Sequence, residues 1–203
     1  MSRTAPSKDT RTRLVEHARD LYVEGGMAGF SMRRVAERAK LSATAIYRHF
    51  DTKEALLGAV CEQGFERFAE ALWRSLRETS PRARLQAAAV QYRQFALDNP
   101  GFYRVMFMAS SQDFGFHELP EANQEKLGPT FQFLVDRVRE CCDAKVLRAG
   151  DPISISYTIW SHLHGQVSLY LTGTLGAIVP DDATFAAVYD ASVQRLLTGL
   201  LTP

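Results

Sequence analysis

Apolar residues recur with the period of an α-helix along most of the chain, and the alternation typical of strands is rare. Near the amino end, Leu14, Ala18 and Leu21 lie on one face of a predicted helix, which the glycines at positions 25 and 26 are expected to end. The same spacing returns in later segments, each bounded by residues that start or stop helices. The pattern predicts an all-α fold of about nine helices.

Side chains that cap helices mark where the later helices are expected to begin. Ser31 and Ser42 each precede a short predicted helix, and Asp51 with Glu54 has capping-box spacing at the start of a long one. Further starts are predicted at Ser80-Pro81, Asp151-Pro152 and Asp181-Asp182. Turn-forming residues instead predict a loop over Ser111–Pro129, with a helical turn inside it as the alternative, and a linker over Gly173–Pro180.

The net charge of +1 is unevenly distributed. Residues 1–53 hold eleven Lys and Arg against six Asp and Glu, whereas the remaining residues hold thirteen against seventeen. A basic amino-terminal segment before an acidic remainder is typical of a protein that contacts phosphate with one end. The alternative is a basic tail with ordinary surface arginines.

Several classes of protein are not expected. No apolar run approaches the ~20 residues of a membrane-spanning helix, and the polar residues 1–10 do not resemble a secretory signal. We therefore expect a cytoplasmic protein without a membrane partner. The sequence also has no phosphate-cradling glycine loop, metal-ligand spacing or nucleophile elbow. An all-α enzyme is thus disfavoured, and no catalytic residue, cofactor or metal is expected.

Three cysteines are too few for a disulfide framework. The adjacent Cys141 and Cys142 are compatible with a soft-metal site or an oxidation sensor. The alternative, which we favour, is two ordinary thiols on a helix in a reducing compartment.

Residues 31–57 contain the pattern with the clearest chemistry. Two short predicted helices are joined by Lys40-Leu41-Ser42, and the second presents Thr44, Tyr47 and Arg48 outward, which is typical of a helix-turn-helix. Small or polar residues at the start of the second helix allow close approach to base edges in a major groove. Hydroxyl, imidazole and ammonium donors further along are suited to phosphates. A short helical hairpin without a DNA role is the alternative.

The run from Ser31 to Leu56 reads Ser-x3-Val-Ala-x2-Ala-x-Leu-Ser-x3-Ile-Tyr-x-His-Phe-x2-Lys-x2-Leu. It resembles the DNA-binding signature of the tetracycline-repressor family of transcription regulators. One departure is Lys40, where that family usually has glycine, so we expect Lys40 in a left-handed conformation that costs about 1 kcal/mol. The resemblance implies that the DNA-facing positions are Ser31, Arg33, Ser42, Ala43, Thr44, Tyr47, His49 and Lys53.

The resemblance also implies a two-part organisation. Residues 1–55 are expected to form a three-helix, helix-turn-helix DNA-binding domain, and residues 56–203 a helical ligand-binding and dimerisation domain. A homodimer assembled through helices at residues 153–172 and 182–198 would then read a palindromic operator. An apolar ladder at intervals of four, namely Ile155, Ile159, Leu163, Val167 and Leu171, would pack against the partner. The alternative is that this ladder packs inside its own subunit.

The second domain is rich in aromatic residues, most of which are expected in the core. The resemblance implies that some line an effector cavity, and Trp160 and His164-Gly165 are similar to a Trp-His-Gly element of one subgroup. His162 and His164 should point in different directions, whereas Trp160 and His164 should share a face. The candidate ligand-binding residues are Phe95, Tyr103, Phe107, Trp160 and His164.

These observations favour a DNA-binding repressor released by a small apolar effector. The alternative is a helix-turn-helix regulator without a small-molecule ligand, controlled by a protein partner. The sequence leaves open the effector, the operator and whether regulation is negative or positive.

Overall fold

A computed structural model describes the backbone of residues 8–109 and 121–201 and the side chains of residues 9–109 and 128–201. In this part of the chain an isolated β-bridge between Leu147 and Leu201 is the only strand-like pairing, so the all-α prediction is confirmed. The described helices are α1 (Lys8–Gly29), α2 (Met32–Arg38), α3 (Ala43–Ile46), α4 (Lys53–Trp73), α5 (Pro81–Asp98), α6 (Pro100–Phe107), α7 (Glu121–Asp143), α8 (Pro152–Leu171) and α9 (Asp182–Leu200).

The chain divides into two compact units. The amino-terminal unit consists of Met1–Phe65 and Gly101–Gln124, and the carboxyl-terminal unit of Glu66–Pro100 and Glu125–Pro203. The first therefore contains α1 to α3, the start of α4, and α6 from Gly101, and the second contains α5, α8 and α9.

Most predicted caps are present. The Ser31, Ser42 and Ser80 hydroxyls accept hydrogen bonds from the backbone N–H three residues later, and the Asp151 and Asp181 carboxylates do the same for α8 and α9. The predicted capping box at Asp51 is wrong. Thr52 caps α4 instead, because its hydroxyl accepts a hydrogen bond from the Ala55 N–H at 3.1 Å. Glu54 is therefore the second residue of α4 rather than the third, and does not complete the box.

The predicted end of the first helix at the glycines at positions 25 and 26 is confirmed as a break within α1. Gly26 has φ 56° and ψ −160°, a conformation outside the α-helical region. The helix resumes after this residue and ends at Gly29, so the glycine pair bends the segment before its last turn.

The predicted loop over Ser111–Pro129 is wrong where the structure describes it. α7 begins at Glu121 and continues through Pro129, while residues 110–120 lie outside the described residues. The sequence from 121 to 127 is mostly composed of good helix formers. Pro129 removes one backbone donor but does not end the helix, and Thr130, the next residue, is buried.

The amino-terminal unit is built on a buried apolar core. Leu14 and Ala18 of α1 and Val35 and Ala36 of α2 are fully buried. Polar contacts also hold α1 in place, since the Arg13 guanidinium donates to the Ala39 carbonyl at 3.1 Å. These contacts fix the helix that supports α2 and α3.

In the carboxyl-terminal unit, α8 buries one face within its own chain. Ile159, Leu163 and Val167 are at most 3% exposed. This part of the apolar ladder therefore packs inside its own subunit, as the alternative interpretation held, and is not free for a partner. On α9, the Tyr189 hydroxyl donates to the Ala89 carbonyl of α5 at 2.9 Å.

Candidate nucleic-acid interface

The turn between α2 and α3 closes with a Schellman pattern. The Lys40 N–H donates to the Glu37 carbonyl at 3.0 Å, and the Leu41 N–H donates to the Ala36 carbonyl at 2.8 Å. Lys40 has φ 58°, so the predicted left-handed conformation is confirmed. This turn sets the direction in which the chain enters α3.

The predicted second helix of the motif is shorter than expected. α3 ends at Ile46 rather than at His49, and Tyr47–His49 form a turn. The His49 N–H donates to the Ile46 carbonyl at 2.9 Å and the Phe50 N–H does so at 3.0 Å. Ile46 is fully buried and Phe50 is 5% exposed, so both ends of the turn are anchored in the core.

The residues of α3 and its flanks form an exposed surface. Ser42, Ala43, Thr44 and Lys53 are exposed, and Tyr47 is 54% exposed despite its aromatic ring. A large exposed aromatic ring beside small residues and a cation is suited to contact with another molecule.

The other three implied DNA-facing residues are more constrained. Ser31 and His49 are half-buried. Arg33 has a side chain that is 82% exposed, but its Nε donates to the Glu37 carboxylate at 2.8 Å. Its charge is therefore partly neutralised by its own helix.

The amino end of α4 adds backbone donors beside this surface. The first amides of a helix have no partner within the helix, and the Thr52 hydroxyl accepts from Ala55 only. The Lys53 and Glu54 N–H groups remain at the positive end of the helix dipole, an arrangement suited to an anion. The sequence pattern predicted Asp51 rather than Thr52 as the cap, because Asp51 and Glu54 have the spacing of a capping box.

The effector candidates are distributed between the units. Tyr103 and Phe107 belong to the amino-terminal unit, with ring centroids 5.0 Å apart, and Phe107 meets Phe65 at 5.5 Å. Tyr103 is fully buried. Phe95 belongs to the carboxyl-terminal unit, is 3% exposed and packs 5.0 Å from Phe68.

Trp160 and His164 share one face of α8, as their spacing predicts, with ring centroids 5.7 Å apart. His164 Nδ1 lies 3.3 Å from the Tyr92 hydroxyl and Nε2 lies 3.2 Å from the Ser168 hydroxyl. His162 points elsewhere, with Nε2 2.9 Å from the Ser192 hydroxyl of α9. The two histidines therefore have separate surroundings.

A cleft of about 290 Å³ opens beside Phe95 in the carboxyl-terminal unit. Its remaining lining is mostly charged or amide side chains, unlike the aromatic effector cavity that the resemblance implies. The residues around it are Arg67, Glu70, Ala71, Arg74, Gln91, Gln94, Phe95, Asp98 and Asn99.

The described residues contain no group of three or more His, Cys, Asp and Glu placed to hold a metal ion. Cys141 is buried, and burial raises the pKa of its thiol to about 11, which favours the protonated form over the reactive thiolate. None of the described helices has the length and apolar character needed to cross a membrane.

Two family models match the chain. Residues 14–60 match the model described as bacterial regulatory proteins, tetR family, and residues 85–196 match the tetracyclin repressor-like C-terminal domain. The HTH-type transcriptional regulator UidR of Escherichia coli (strain K12) is 36% identical over 61 residues. That segment is 30% of this chain and 31% of UidR, so the chain matches about a third of that relative's length.

Solved structures resemble the whole chain. A protein with unknown function from Rhodococcus sp. RHA1 is 27% identical with a TM-score of 0.77, covering 99% of this chain and 100% of that one. A bacterial regulatory protein in the tetR family from Rhodococcus RHA1 has a TM-score of 0.75. It is 17% identical and covers 98% of this chain and 100% of that one, a likeness that shows the fold alone.

The surroundings of His164 predict a pH dependence of stability. Burial lowers the pKa of this imidazole, so the unfolded chain takes up the proton at a higher pH than the folded chain. As the pH falls through the unfolded-state value of about 6.5, the free energy of unfolding should therefore decrease. Urea unfolding between about pH 7 and pH 5 should show a smaller decrease for His164→Gln than for the wild type. Identical pH profiles would contradict the prediction.

Proposed function

The chain belongs to the tetracycline-repressor family of transcription regulators, and from this premise we propose that it is a ligand-responsive repressor. In this proposal it acts in the cytoplasm, binds a palindromic operator as a homodimer, and is released by a small apolar effector. Residues 1–55 form its DNA-binding domain, and residues 56–203 bind the ligand and dimerise. The exposed surface on α3 and its flanks is the observation that carries the proposal.

In the proposed complex, the amino end of α3 enters the major groove. Ser42, Ala43 and Thr44 are small enough for close approach to base edges, and Thr44 contributes to base preference. Ser31, Arg33, Tyr47, His49 and Lys53 face the phosphates. For Arg33 to take part, its exposed ion pair with Glu37 must be exchanged for a phosphate, which costs little because such pairs contribute about 0–1 kcal/mol.

The proposed dimer uses the outward face of α8. Ile153, Tyr157 and Leu169 are 58%, 62% and 45% exposed, and they share this face with Ser161 and Gly165 at intervals of four. This stripe replaces Ile159 and Leu163 as the proposed contact. Val188 of α9, also exposed at 46%, adds apolar surface on the neighbouring helix. Burial of these side chains against a second copy would provide hydrophobic stabilisation.

The proposed effector response is a shift in population between two forms of the dimer. Two α3 helices must meet successive major grooves about 34 Å apart, so a form with a different spacing binds poorly. A ligand that prefers that form releases the DNA. A 100-fold release requires a differential affinity of about 2.7 kcal/mol, which roughly 110 Å² of additional apolar burial supplies. Within the carboxyl-terminal unit, Phe95 and Trp160 are the proposed apolar contacts and His164 the polar one. Tyr103 and Phe107 of the amino-terminal unit are a separate group of proposed apolar contacts.

The proposed phosphate contacts predict how binding responds to two substitutions. Tyr47→Phe should weaken operator binding about fivefold for each subunit, since one hydrogen bond contributes about 1 kcal/mol. Lys53→Ala should lower the slope of log affinity against log salt by about 0.9 for each subunit. Fluorescence anisotropy with the DNA upstream of the protein's own gene measures both. Arg82→Ala, at an exposed arginine of α5 outside the proposed DNA and dimer surfaces, is the control and should bind as the wild type does. Wild-type binding by Tyr47→Phe, Lys53→Ala and the double variant would show that the assignment is wrong.

The corrected dimer face predicts different outcomes for exposed positions on α8 and outside it. Tyr157→Asp combined with Leu169→Asp should raise the dimer dissociation constant at least ~100-fold, because each unpaired charge buried in an interface costs several kcal/mol. Sedimentation velocity measures the change, and unchanged helical content and melting temperature would show that the subunit remains folded. Ile178→Asp, at a residue that is 81% exposed but lies outside both helices, is the control and should leave the dimer intact. A monomeric wild type, or a normal dimer from the double variant, would refute the proposal.

The effector proposal predicts the chemistry of the compounds that bind. Calorimetry with a broad set of apolar and charged compounds, with and without operator, should identify apolar binders that weaken operator binding about 100-fold. Trp160→Ala should reduce their affinity while leaving operator binding unchanged. If every binder is strongly charged, or if binders leave operator affinity unaltered, control by a protein partner becomes the better proposal.

A further inference from the structure

We propose that Lys40 and Arg48, which precede and follow α3 along the chain, contact DNA phosphates and contribute to the sequence-independent part of binding. This inference rests on the proposed DNA-binding function. It adds two residues that the family resemblance does not place at DNA-facing positions.

Nine lysines and arginines between residues 9 and 53 have described side chains. Most of them have a partner within the amino-terminal unit, either a carboxylate, a carbonyl or an aromatic ring. These pairs are Arg11 with Phe50, Arg13 with Ala39, Arg19 with Asp20 and Phe102, Arg33 with Glu37, Arg34 with Gly29, Arg38 with Glu24, and Lys53 with Glu54.

Lys40 and Arg48 differ from this group. Both side chains are exposed, and neither has a hydrogen bond, ion pair or ring contact with another described residue. Their charges are therefore available to an anion without the loss of an existing contact. A phosphate contact by Arg33 or Lys53 would first have to compete with a carboxylate.

Lys40 and Arg48 also lie on the two sides of α3 along the chain. Lys40 occupies the turn that ends α2, and Arg48 occupies the turn after α3, where its N–H donates to the Ala45 carbonyl at 3.2 Å. A helix in a major groove has a phosphate backbone on each side. Lys40 and Arg48, on the two turns that flank α3, are therefore suited to contact these two phosphate backbones. Such contacts would position α3 without reading bases.

The backbone at Lys40 allows the cation to be removed without strain. Its left-handed conformation is unfavourable for a residue with a Cβ atom, and glycine would adopt it without strain. A substitution to glycine should therefore remove the cation without destabilising the turn. This separates a loss of DNA contact from a loss of folding.

The chain supplies a matched control at Lys145. This lysine is also exposed, has φ 56° and ends α7 with the same closure. The Lys145 N–H donates to the Cys142 carbonyl at 2.9 Å, and the Val146 N–H donates to the Cys141 carbonyl at 2.8 Å. Lys145 belongs to the carboxyl-terminal unit, outside the proposed DNA surface.

The experiment compares Lys40→Gly with Lys145→Gly on a duplex that the wild type has selected from a random-sequence pool. Lys40→Gly should melt at or above the wild-type temperature, and both variants should remain folded. Lys40→Gly should lower the slope of log affinity against log salt by about 0.9 for each subunit and weaken binding about fivefold for each subunit near 0.15 M salt. Lys145→Gly should leave both quantities unchanged, and Lys40→Arg should restore the slope.

Arg48→Gln is tested in the same way, with Arg82→Gln, at an exposed arginine of α5, as its control. Arg48→Gln should lower the slope by the same amount, and Arg82→Gln should not. If the wild type shows a steep slope that Lys40→Gly or Arg48→Gln retains, the assignment of that residue is overturned while the proposed function stands. If the wild type selects no duplex and shows no salt-dependent binding, the proposed function itself fails.

Discussion

The helix α3 depends on tertiary anchoring for its stability. Four residues cannot offset the entropy lost in forming the first helical turn, so the sequence around α3 has to hold it from both ends. Ser42 caps its start, while Ile46 is fully buried at its end and Phe50 is buried four residues later. Two apolar side chains that face the core therefore orient the exposed residues between and beside them. Every proposed DNA contact on α3 requires this arrangement.

Electrostatics adds a second constraint to the same surface. Most described cations of residues 9–53 are held by partners that stabilise the amino-terminal unit, and Arg13 in particular links α1 to the end of α2. The charge of a segment is therefore a poor guide to its capacity for binding phosphate. What distinguishes Lys40 and Arg48 is the absence of a described partner at an exposed site beside α3. The basic balance of residues 1–53 serves folding as well as the proposed recognition.

In the carboxyl-terminal unit, α8 has apolar residues on two faces. Ile159, Leu163 and Val167 bury one face within the subunit, while Ile153, Tyr157 and Leu169 leave the other exposed. The first face stabilises the subunit, and the second is available for the proposed dimer. Trp160 and His164 lie between them and contact Phe131, Tyr92 and Ser168. One helix thus combines core packing, the proposed assembly and the proposed effector contacts.

The sequence by itself determined the helical class, the family and most helix starts, because periodicity, capping and the Ser31–Leu56 motif depend on residues close together in the chain. The left-handed conformation of Lys40 was also predictable. This turn usually contains glycine, and it requires a left-handed backbone whichever residue occupies the position. Only the tertiary structure decided that Thr52 rather than Asp51 caps α4, that α7 continues through Pro129, and that Ile159 faces inward while Tyr157 faces outward. These outcomes depend on which surfaces pack together, and on α8, where both faces are apolar, spacing alone cannot distinguish the face that the subunit buries.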